Sequence, residues 1–412
     1  MEEEAKVLYE KEEGGLTFPQ GFHAAGVSCG IKEGGYKDIG IVFSDTPCVV
    51  AAAFTQNKVK AAPVLLDMQR LKNKISAIIV NSGNANCLTG KKGEEDALTM
   101  ATETEKKLNL KPGSVLVAST GVIGEYLNMD RILYGINRIT RNINYDDNYL
   151  NFSHSIMTTD TRTKNVAYSF KLGGKAVKIG LTAKGAGMIK PVLAVPHATM
   201  LVFITTDAKI AKPLLEKALE KAIEVSFNRI SVDNDTSTND SVFLLANELA
   251  GNAEIVEEND DYRTFCEVLT VGCTDMAKLL VKDGEGASKL IKITINNAMT
   301  AGDAEKAARA IADSYLVKTA MFGGSPNWGR IVSALGYSGA KFDVSKLKLY
   351  INDLVIYENN TVNRPNKSQA TSEMIPNEIH ITLDLNLGNK SYFMWTCDLT
   401  YDYVKINAHY IS

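Results

Sequence analysis

Thr199 is the first candidate catalytic residue in the sequence. Thr199 follows Ala198 and precedes the apolar run MLVFI at 200–204, which predicts a buried central strand with Thr199 at its first position. If the Ala198–Thr199 bond were cut, the new α-amino group, with a pKa of about 7.7–8.0, could accept the hydroxyl proton and make the oxygen a nucleophile. A threonine that merely starts a strand is the more common case, so both interpretations stand at this point.

A second candidate is the segment STGVIG at 119–124. The strand SVLVAS runs into this small-residue turn, and EYLNMDRIL after it predicts a helix. Backbone N–H groups of Thr120 and Gly121, with the helix dipole behind them, would suit the oxyanion of a tetrahedral intermediate. An ordinary strand-to-helix turn is the alternative. The glycine-rich stretch KGAGMIKP at 184–191 lacks a dinucleotide fingerprint, and we expect Gly185 and Gly187 to form a tight turn with positive φ.

Composition narrows the possible partners. The chain has 412 residues, is 45% apolar and 23% charged, and carries a formal net charge of −3. It therefore lacks the basic field typical of nucleic-acid or anionic-membrane binding, and small neutral or zwitterionic partners fit better. The acidic start MEEEAK and the absence of about 18 consecutive apolar residues predict a cytoplasmic protein with no membrane span. Five histidines and six cysteines are dispersed without metal-ligand spacing, so we expect no metal.

The elements that must position these candidates alternate along the chain. Four short β-branched runs predict strands from Ile39, Val49, Ile75 and Ser114, and a helical spacing follows Glu94. Further strands are predicted from Val166 and Ala176, and helices at 211–227, 261–281 and 303–318. The last third is again rich in strands, so a main domain at 1–286 and a smaller one at 287–412 are expected.

Nine segments together resemble the glutamate N-acetyltransferase family, the ornithine acetyltransferases of arginine biosynthesis. They run in family order over nearly the whole chain: VNSGNAN from Val80, STGVIG from Ser119, MTTDT from Met157, KGAGMI from Lys184, ATML from Ala198, DNDTSTND from Asp233, DGEGA from Asp283, RAIADSYLVKTA from Arg309 and SPNWGRI from Ser325. Any one segment would be weak, but their co-occurrence is highly specific. Because of it, the catalytic interpretations of Thr199 and Thr120 are preferred over an ordinary strand start and an ordinary turn.

The resemblance implies an α/β fold, an α-β-β-α sandwich with a smaller C-terminal α/β domain. It also implies self-cleavage between Ala198 and Thr199 into an α chain, 1–198, and a β chain, 199–412. Two α and two β chains would form a heterotetramer. No metal or organic cofactor is expected.

The implied activity is ping-pong acetyl transfer from N-acetylornithine to glutamate, which releases ornithine and N-acetylglutamate. Thr199 would be the nucleophile, with Thr120 and Gly121 stabilising the oxyanion. Some family members also use acetyl-CoA as donor. The resemblance places substrate contacts at Thr158 or Thr159, Lys184, Thr199, Glu285, Asn407 and Ser412. Lys184 would receive the α-carboxylate, and Glu285 an ammonium group.

The chain departs from the family pattern before the expected cleavage site. The family usually reads K-G-x-G-M-I-x-P-N-M-A-T-M-L, whereas KPVLAVPHATML here has four extra residues and no Asn between Pro191 and Ala198. Ser412 stands where the family typically has a threonine. Two other functions stay open: an N-terminal-nucleophile aminopeptidase or amidohydrolase that passes its acyl group to water, and an uncleaved binding protein.

Overall fold

The computed structural model describes residues 8–143, 148–190, 193–194 and 200–409. Within these ranges the strands are β1 (Tyr9–Glu12), β2 (Phe22–Val27), β3 (Ile39–Thr55), β4 (Ile75–Asn84), β5 (Val115–Val122), β6 (Lys164–Leu172), β7 (Lys175–Lys184), β8 (Leu193–Ala194), β9 (Leu201–Thr206), β10 (Ile230–Ser231), β11 (Ser241–Ala246), β12 (Leu290–Ala298), β13 (Lys348–Ile351), β14 (Leu354–Glu358), β15 (Thr361–Val362), β16 (Glu378–Asp384) and β17 (Lys390–Cys397). The α-helices are α1 (Ala62–Arg70), α2 (Gly90–Lys107), α3 (Met129–Asn142), α4 (Tyr149–Ile156), α5 (Lys212–Glu224), α6 (Asp260–Lys282), α7 (Ala301–Ala312), α8 (Tyr315–Phe322), α9 (Trp328–Tyr337), α10 (Arg364–Glu373) and α11 (Tyr401–His409).

The larger sheet has the order β1-β6-β7-β9-β11-β3-β4-β5, with β2 and β8 also paired to β3. The predicted central strand is confirmed, because β9 lies between β7 and β11 and all six of its residues are buried. The strand begins at Leu201, however, and not at Thr199 as predicted. A strand buried on both faces explains the unbroken apolar run in the sequence.

The two strands predicted from Ile39 and Val49 are one long strand, β3. Its first part pairs with β2 and β4, and its second part, from Val49, pairs with β11. The register of the pairing with β4 shifts between Phe43 and Cys48. Such an irregularity bends a strand, so β3 passes from one layer of the molecule to the other without a break.

Three hydrophobic clusters define the layers of the large sheet. Helices α5 and α6 pack on one side of β6, β7, β9 and β11. The opposite side of β9 and β11 faces β2, β4 and β5 across a core that contains Phe54, Phe203 and Phe243. Helices α2 and α3 cover the outer side of β2, β4 and β5. The predicted α-β-β-α sandwich is therefore confirmed.

The smaller sheet has the order β10-β17-β12-β16-β13-β14-β15 and packs with α7, α9 and α10 around its own core. Its edge strand β10, Ile230–Ser231, comes from far earlier in the chain than the other six strands. The single helix predicted at 303–318 is two helices, α7 and α8. Ser314 separates them, because its side chain accepts a hydrogen bond from the N–H of Val317 and so caps a new helix.

Strand ends from different parts of the chain meet at one edge of the sandwich. Lys184, the last residue of β7, pairs with Leu201, the first residue of β9. The ends of β4 and β5 lie beside each other, with Gly83 paired to Gly121. Within the described ranges, no helix is long and apolar enough to cross a membrane.

Candidate active site

A cavity of about 290 Å³ opens where these strand ends meet. Its lining comes from strand ends, loops and helix α11: Ala85, Thr120, Gly121, Ile123, Thr158, Thr159, Lys184, Gly185, Gly187, Met188, Ile189, Met200, Leu201, Ser237, Thr238, Asn239, Asp240, Glu285 and Asn407. Seven residues expected from the sequence to act in a site lie in this lining: Thr120, Gly121, Thr158, Thr159, Lys184, Glu285 and Asn407. Ala198, Thr199 and Ser412 lie outside the described residues.

The oxyanion candidates are held by strand pairing rather than by a turn in front of a helix. Thr120 and Gly121 belong to β5, and helix α3 begins only at Met129, so the expected helix dipole directly behind them is wrong. Gly121 has a φ of 134°, and a Cβ atom there would lie 2.3 Å from the carbonyl carbon of Gly83. Position 121 therefore requires glycine, and the backbone at this strand end is closely packed.

Lys184 is the buried cation of the site. Its Nζ donates hydrogen bonds to Oγ1 of Thr158 at 2.9 Å and to Oγ1 of Thr120 at 3.2 Å. Burial lowers the pKa of Lys184, while the nearby Asp160 opposes that shift. We name the surface formed by Thr120, Thr158 and Lys184 the cationic wall.

A buried charge network stands behind the cationic wall. Asp160 accepts hydrogen bonds from Nζ of Lys164 at 2.6 Å, from the Gly185 N–H at 2.7 Å and from the Thr158 N–H at 3.0 Å. Lys164 also donates to Asp283 at 2.5 Å. Burial alone would raise the pKa of Asp160, but Lys184 and Lys164 outweigh burial and hold that pKa below its ordinary value. Asp160 is therefore ionised and fixes the backbone at Thr158 and Gly185, next to the cationic wall.

Another part of the cavity lining carries a buried carboxylate. Glu285 lies in the loop after α6, is buried, and accepts a hydrogen bond from Nδ2 of Asn407 on α11 at 2.7 Å. We name the pair Glu285 and Asn407 the acidic wall. A Cβ atom at Gly187 would lie only 2.4 Å from Cδ of Glu285. Gly187 thus leaves room for the close approach of Glu285. The expected positive φ is confirmed at Gly185, where it is 150°, but is wrong for Gly187.

The arrangement suits an amino acid with a charged side chain. A carboxylate can bind Lys184, an ammonium group can bind Glu285, and the hydroxyls of Thr120 and Thr158 offer further polar contacts between them. Among the described residues, no group of three or more His, Cys, Asp or Glu side chains could hold a metal ion. The chemistry that these residues offer is recognition of charge and stabilisation of an oxyanion.

Sequence reasoning assigned no role to several residues that shape the site. Asn239 donates its side-chain amide to the carbonyls of Ala85 and Ser119, at 2.5 and 2.9 Å, and so holds the end of β5 in place. Asp160 and Lys164 were not singled out either. The segments DNDTSTND and MTTDT that contain Asn239 and Asp160 were the available signal, since polar runs next to apolar strands often fold inward at sites.

The residue that follows Thr199 is described and has an unusual backbone. Met200 lines the cavity and has a φ of 136°, which L-residues rarely adopt. Its carbonyl accepts a hydrogen bond from the N–H of Ser241 at 2.6 Å. On the other side, Ala194 pairs with Phe54 of β3. The chain on both sides of 195–199 is thus tied to the sheet next to the cavity, and the backbone at Met200 is strained.

Known proteins are similar to this chain over nearly its whole length. The ArgJ family matches residues 23–412. The arginine biosynthesis bifunctional protein ArgJ of Caldanaerobacter subterraneus subsp. tengcongensis is 44% identical over 403 residues, covering 97% of this chain and 98% of the relative. The glutamate N-acetyltransferase of Methanocaldococcus jannaschii is 44% identical over 412 residues, covering 97% of this chain and 99% of the relative.

A solved structure is also similar. The crystal structure of an arginine biosynthesis bifunctional protein from Bacillus halodurans is 40% identical. The match covers 50% of this chain and 98% of the crystallised chain, with a TM-score of 0.49.

Proposed function

This chain belongs to the ArgJ family, and on that premise we propose that it is a glutamate N-acetyltransferase of arginine biosynthesis. It takes the acetyl group from N-acetylornithine, releases ornithine, and passes the acetyl group to glutamate to form N-acetylglutamate. The observation that carries this proposal is the cavity itself, whose lining combines a buried lysine, a buried glutamate and two hydroxyls.

In the first half-reaction, Thr199 Oγ1 attacks the acetyl carbonyl of N-acetylornithine. The free α-amine of Thr199 takes the hydroxyl proton, and Thr120 and Gly121 stabilise the oxyanion. The C–N bond then breaks, the proton passes to the leaving amine, and ornithine departs. The acetyl group remains on Thr199 as an ester.

In the second half-reaction, the α-amine of glutamate attacks the ester carbonyl through an oxyanion at the same position. The C–O bond breaks, Thr199 regains its proton, and N-acetylglutamate leaves. The two amino acids use the cavity in turn, which is a ping-pong sequence. The shared α-carboxylate binds Lys184, with Thr158 or Thr159 beside it, and the ornithine side-chain ammonium binds Glu285, with Asn407 and Ser412 completing that end.

Maturation is part of the proposal, since the nucleophile needs a free α-amine. We propose cleavage between Ala198 and Thr199, giving chains 1–198 and 199–412 that stay together, as two of each in a heterotetramer. The strained backbone at Met200, one residue beyond Thr199, supports the idea, because backbone strain of this kind clusters at functional sites. The four additional residues before Ala198 are tolerated if the fixed points at Ala194 and Met200 keep the bond beside the cavity.

The acceptor decides between transfer and hydrolysis. We expect N-acetylornithine to be consumed many times faster with glutamate present than without it, and Thr199→Ala to be folded, uncleaved and inactive. Equal consumption with and without glutamate would instead make the protein an amidohydrolase. A wild-type chain that stays intact and does not turn over would make it a binding protein. Acetyl-CoA in place of N-acetylornithine tests the second donor.

A further inference from the structure

The structure contains a second lysine close to the cationic wall. Lys32 lies in the connection between β2 and β3, and the carboxylate of Asp38 fixes this connection. Asp38 accepts hydrogen bonds from the N–H groups of Cys29 at 2.6 Å, Ile31 at 2.7 Å and Lys32 at 3.1 Å. The backbone of Lys32 is thus held in one position, although the residue belongs to a loop.

The side chain of Lys32 reaches the residues next to the cavity. Its stem packs over Gly83, where a Cβ atom would lie 3.0 Å from Cγ of Lys32, and Gly83 is paired with Gly121. Its Nζ donates a hydrogen bond to the carbonyl of Met157 at 3.0 Å, and Met157 immediately precedes Thr158. Lys32 therefore spans from Gly83 of β4, the residue paired with Gly121, to the residue before Thr158.

Lys32 is a partly buried cation. Burial, together with the nearby Lys184, lowers its pKa to about 8, although Asp38 and Asp160 oppose the shift. An ammonium group has three donors, and within the described residues only the Met157 carbonyl accepts a hydrogen bond from this one. A carboxylate bound here would relieve the repulsion between the two lysines.

The two substrates of the proposed reaction differ in side-chain charge. Ornithine carries an ammonium group, for which the cavity offers Glu285, whereas glutamate carries a second carboxylate, which Glu285 would repel. Lys184 is already engaged by the α-carboxylate that both substrates share. Glutamate therefore needs another positive group near the cavity.

We propose that Lys32 determines acceptor specificity by binding the side-chain carboxylate of glutamate in the second half-reaction. The inference rests on the proposed function, since it assigns a residue to that reaction's second substrate. Lys32 takes no part in binding N-acetylornithine. It acts by direct contact with the acceptor.

The test measures the two half-reactions separately in the Lys32→Met variant. Exchange of labelled ornithine into N-acetylornithine needs no glutamate, and we expect it to stay within about twofold of wild type. We expect kcat/KM for glutamate to fall about 10- to 100-fold, the effect of losing one hydrogen bond to a charged group, mostly through KM. Lys32→Arg should restore much of the loss, because it keeps the charge.

Glutamine as acceptor excludes a merely structural effect. It has the shape of glutamate without the side-chain charge, so Lys32→Met should reduce the preference for glutamate over glutamine by about tenfold or more. Lys37→Met is the matched control, because Lys37 lies in the same loop and donates to the carbonyl of Gly26 at 3.0 Å, away from the cavity. It should leave that preference unchanged.

The outcomes are distinguishable. An equal fall for glutamate and glutamine, a fall in ornithine exchange, or no change would overturn the role of Lys32 while leaving the proposed function intact. Wild-type protein that neither exchanges ornithine nor acetylates glutamate would refute the proposed function, and the inference with it.

Discussion

The cationic wall and the acidic wall line one cavity, yet they are built differently. Thr120 and Lys184 lie at the ends of strands within a large sheet, and a buried charge network supports them. Glu285 lies in a loop, and its partner Asn407 lies on α11, a helix with no buried residue in its described length. Lys184 and Glu285 are both buried, so the walls differ in their support: paired strands and a charge network hold the first, and a loop and an exposed helix hold the second.

This difference matches what the proposed reaction demands of each wall. The oxyanion and the α-carboxylate are common to both half-reactions, so their positions must not change. The side chains of the two substrates differ in charge, so different groups must bind them: Glu285 for ornithine and, as inferred above, Lys32 for glutamate. The cationic wall also belongs to residues before 199 and the acidic wall to residues after it, so a bound substrate would contact both proposed chains.

The largest effect on activity is expected at the cationic wall. Lys184→Ala leaves the shared α-carboxylate without its buried cation, so kcat/KM should fall about 100-fold or more for both N-acetylornithine and glutamate. Steady-state kinetics with each substrate varied in turn measures this. Lys175→Ala, at the exposed start of the same strand, is the control and should behave as wild type. A loss confined to one substrate would mean that Lys184 recognises something other than the common carboxylate.

Asp160→Asn should affect stability more than any surface change. It removes a carboxylate that stabilises both Lys164 and Lys184, although Lys164 keeps Asp283 as a partner. We therefore expect a loss of about 3 kcal/mol of unfolding free energy, the low end for breaking a buried ion pair. Urea unfolding at neutral pH measures the loss, with Asp353→Asn in an exposed turn as control. Unchanged stability would show that the network does not support the cationic wall.

The same carboxylate gives a pH prediction. Because the folded-state pKa of Asp160 lies below its ordinary value, its stabilisation is fully present above the ordinary pKa of about 3.9 and is lost as the pH falls through the folded value. Asp160→Asn should therefore lose less stability than wild type between pH 4 and more acidic conditions. A parallel acid dependence in both proteins would contradict this assignment.

A substitution at the acidic wall should impair the use of N-acetylornithine but not that of glutamate. Glu285→Gln keeps the shape and removes the charge, so we expect the KM for N-acetylornithine to rise about tenfold or more while glutamate is used as well as before. Separate measurement of ornithine exchange and of glutamate acetylation shows the split. Equal losses in both would mean that the two walls do not divide recognition as proposed.

The smallest effect is expected at Asn407. Asn407→Ala removes one hydrogen bond to Glu285 at the surface, and we expect a change of only a few-fold in KM for N-acetylornithine. Val404→Ala, at an exposed position of the same helix, is the matched control. A loss as large as that of Glu285→Gln would show that α11 is an essential part of the wall rather than a support.

The two walls also differ in how well the sequence predicts them. The apolar run at 200–204 predicts the central strand β9. The family resemblance predicts Lys184, Glu285 and Asn407 as site residues. Asp283 and Lys164 lie 119 residues apart along the chain, so no local pattern indicates that they share a charge network. The misplaced helix dipole behind Gly121 has a similar cause, because the chain from 123 to 128 separates the strand from the helix and its length could not be judged from composition.

Denaturing intact-mass spectrometry, before and after brief exposure to N-acetylornithine, tests the central claim most directly. The account predicts two fragments, the second beginning at Thr199, with one acetyl group on that fragment that disappears when glutamate is added. Cleavage, the covalent intermediate and the acceptor are then read from one sample. A single intact chain without an acetyl adduct would contradict the account.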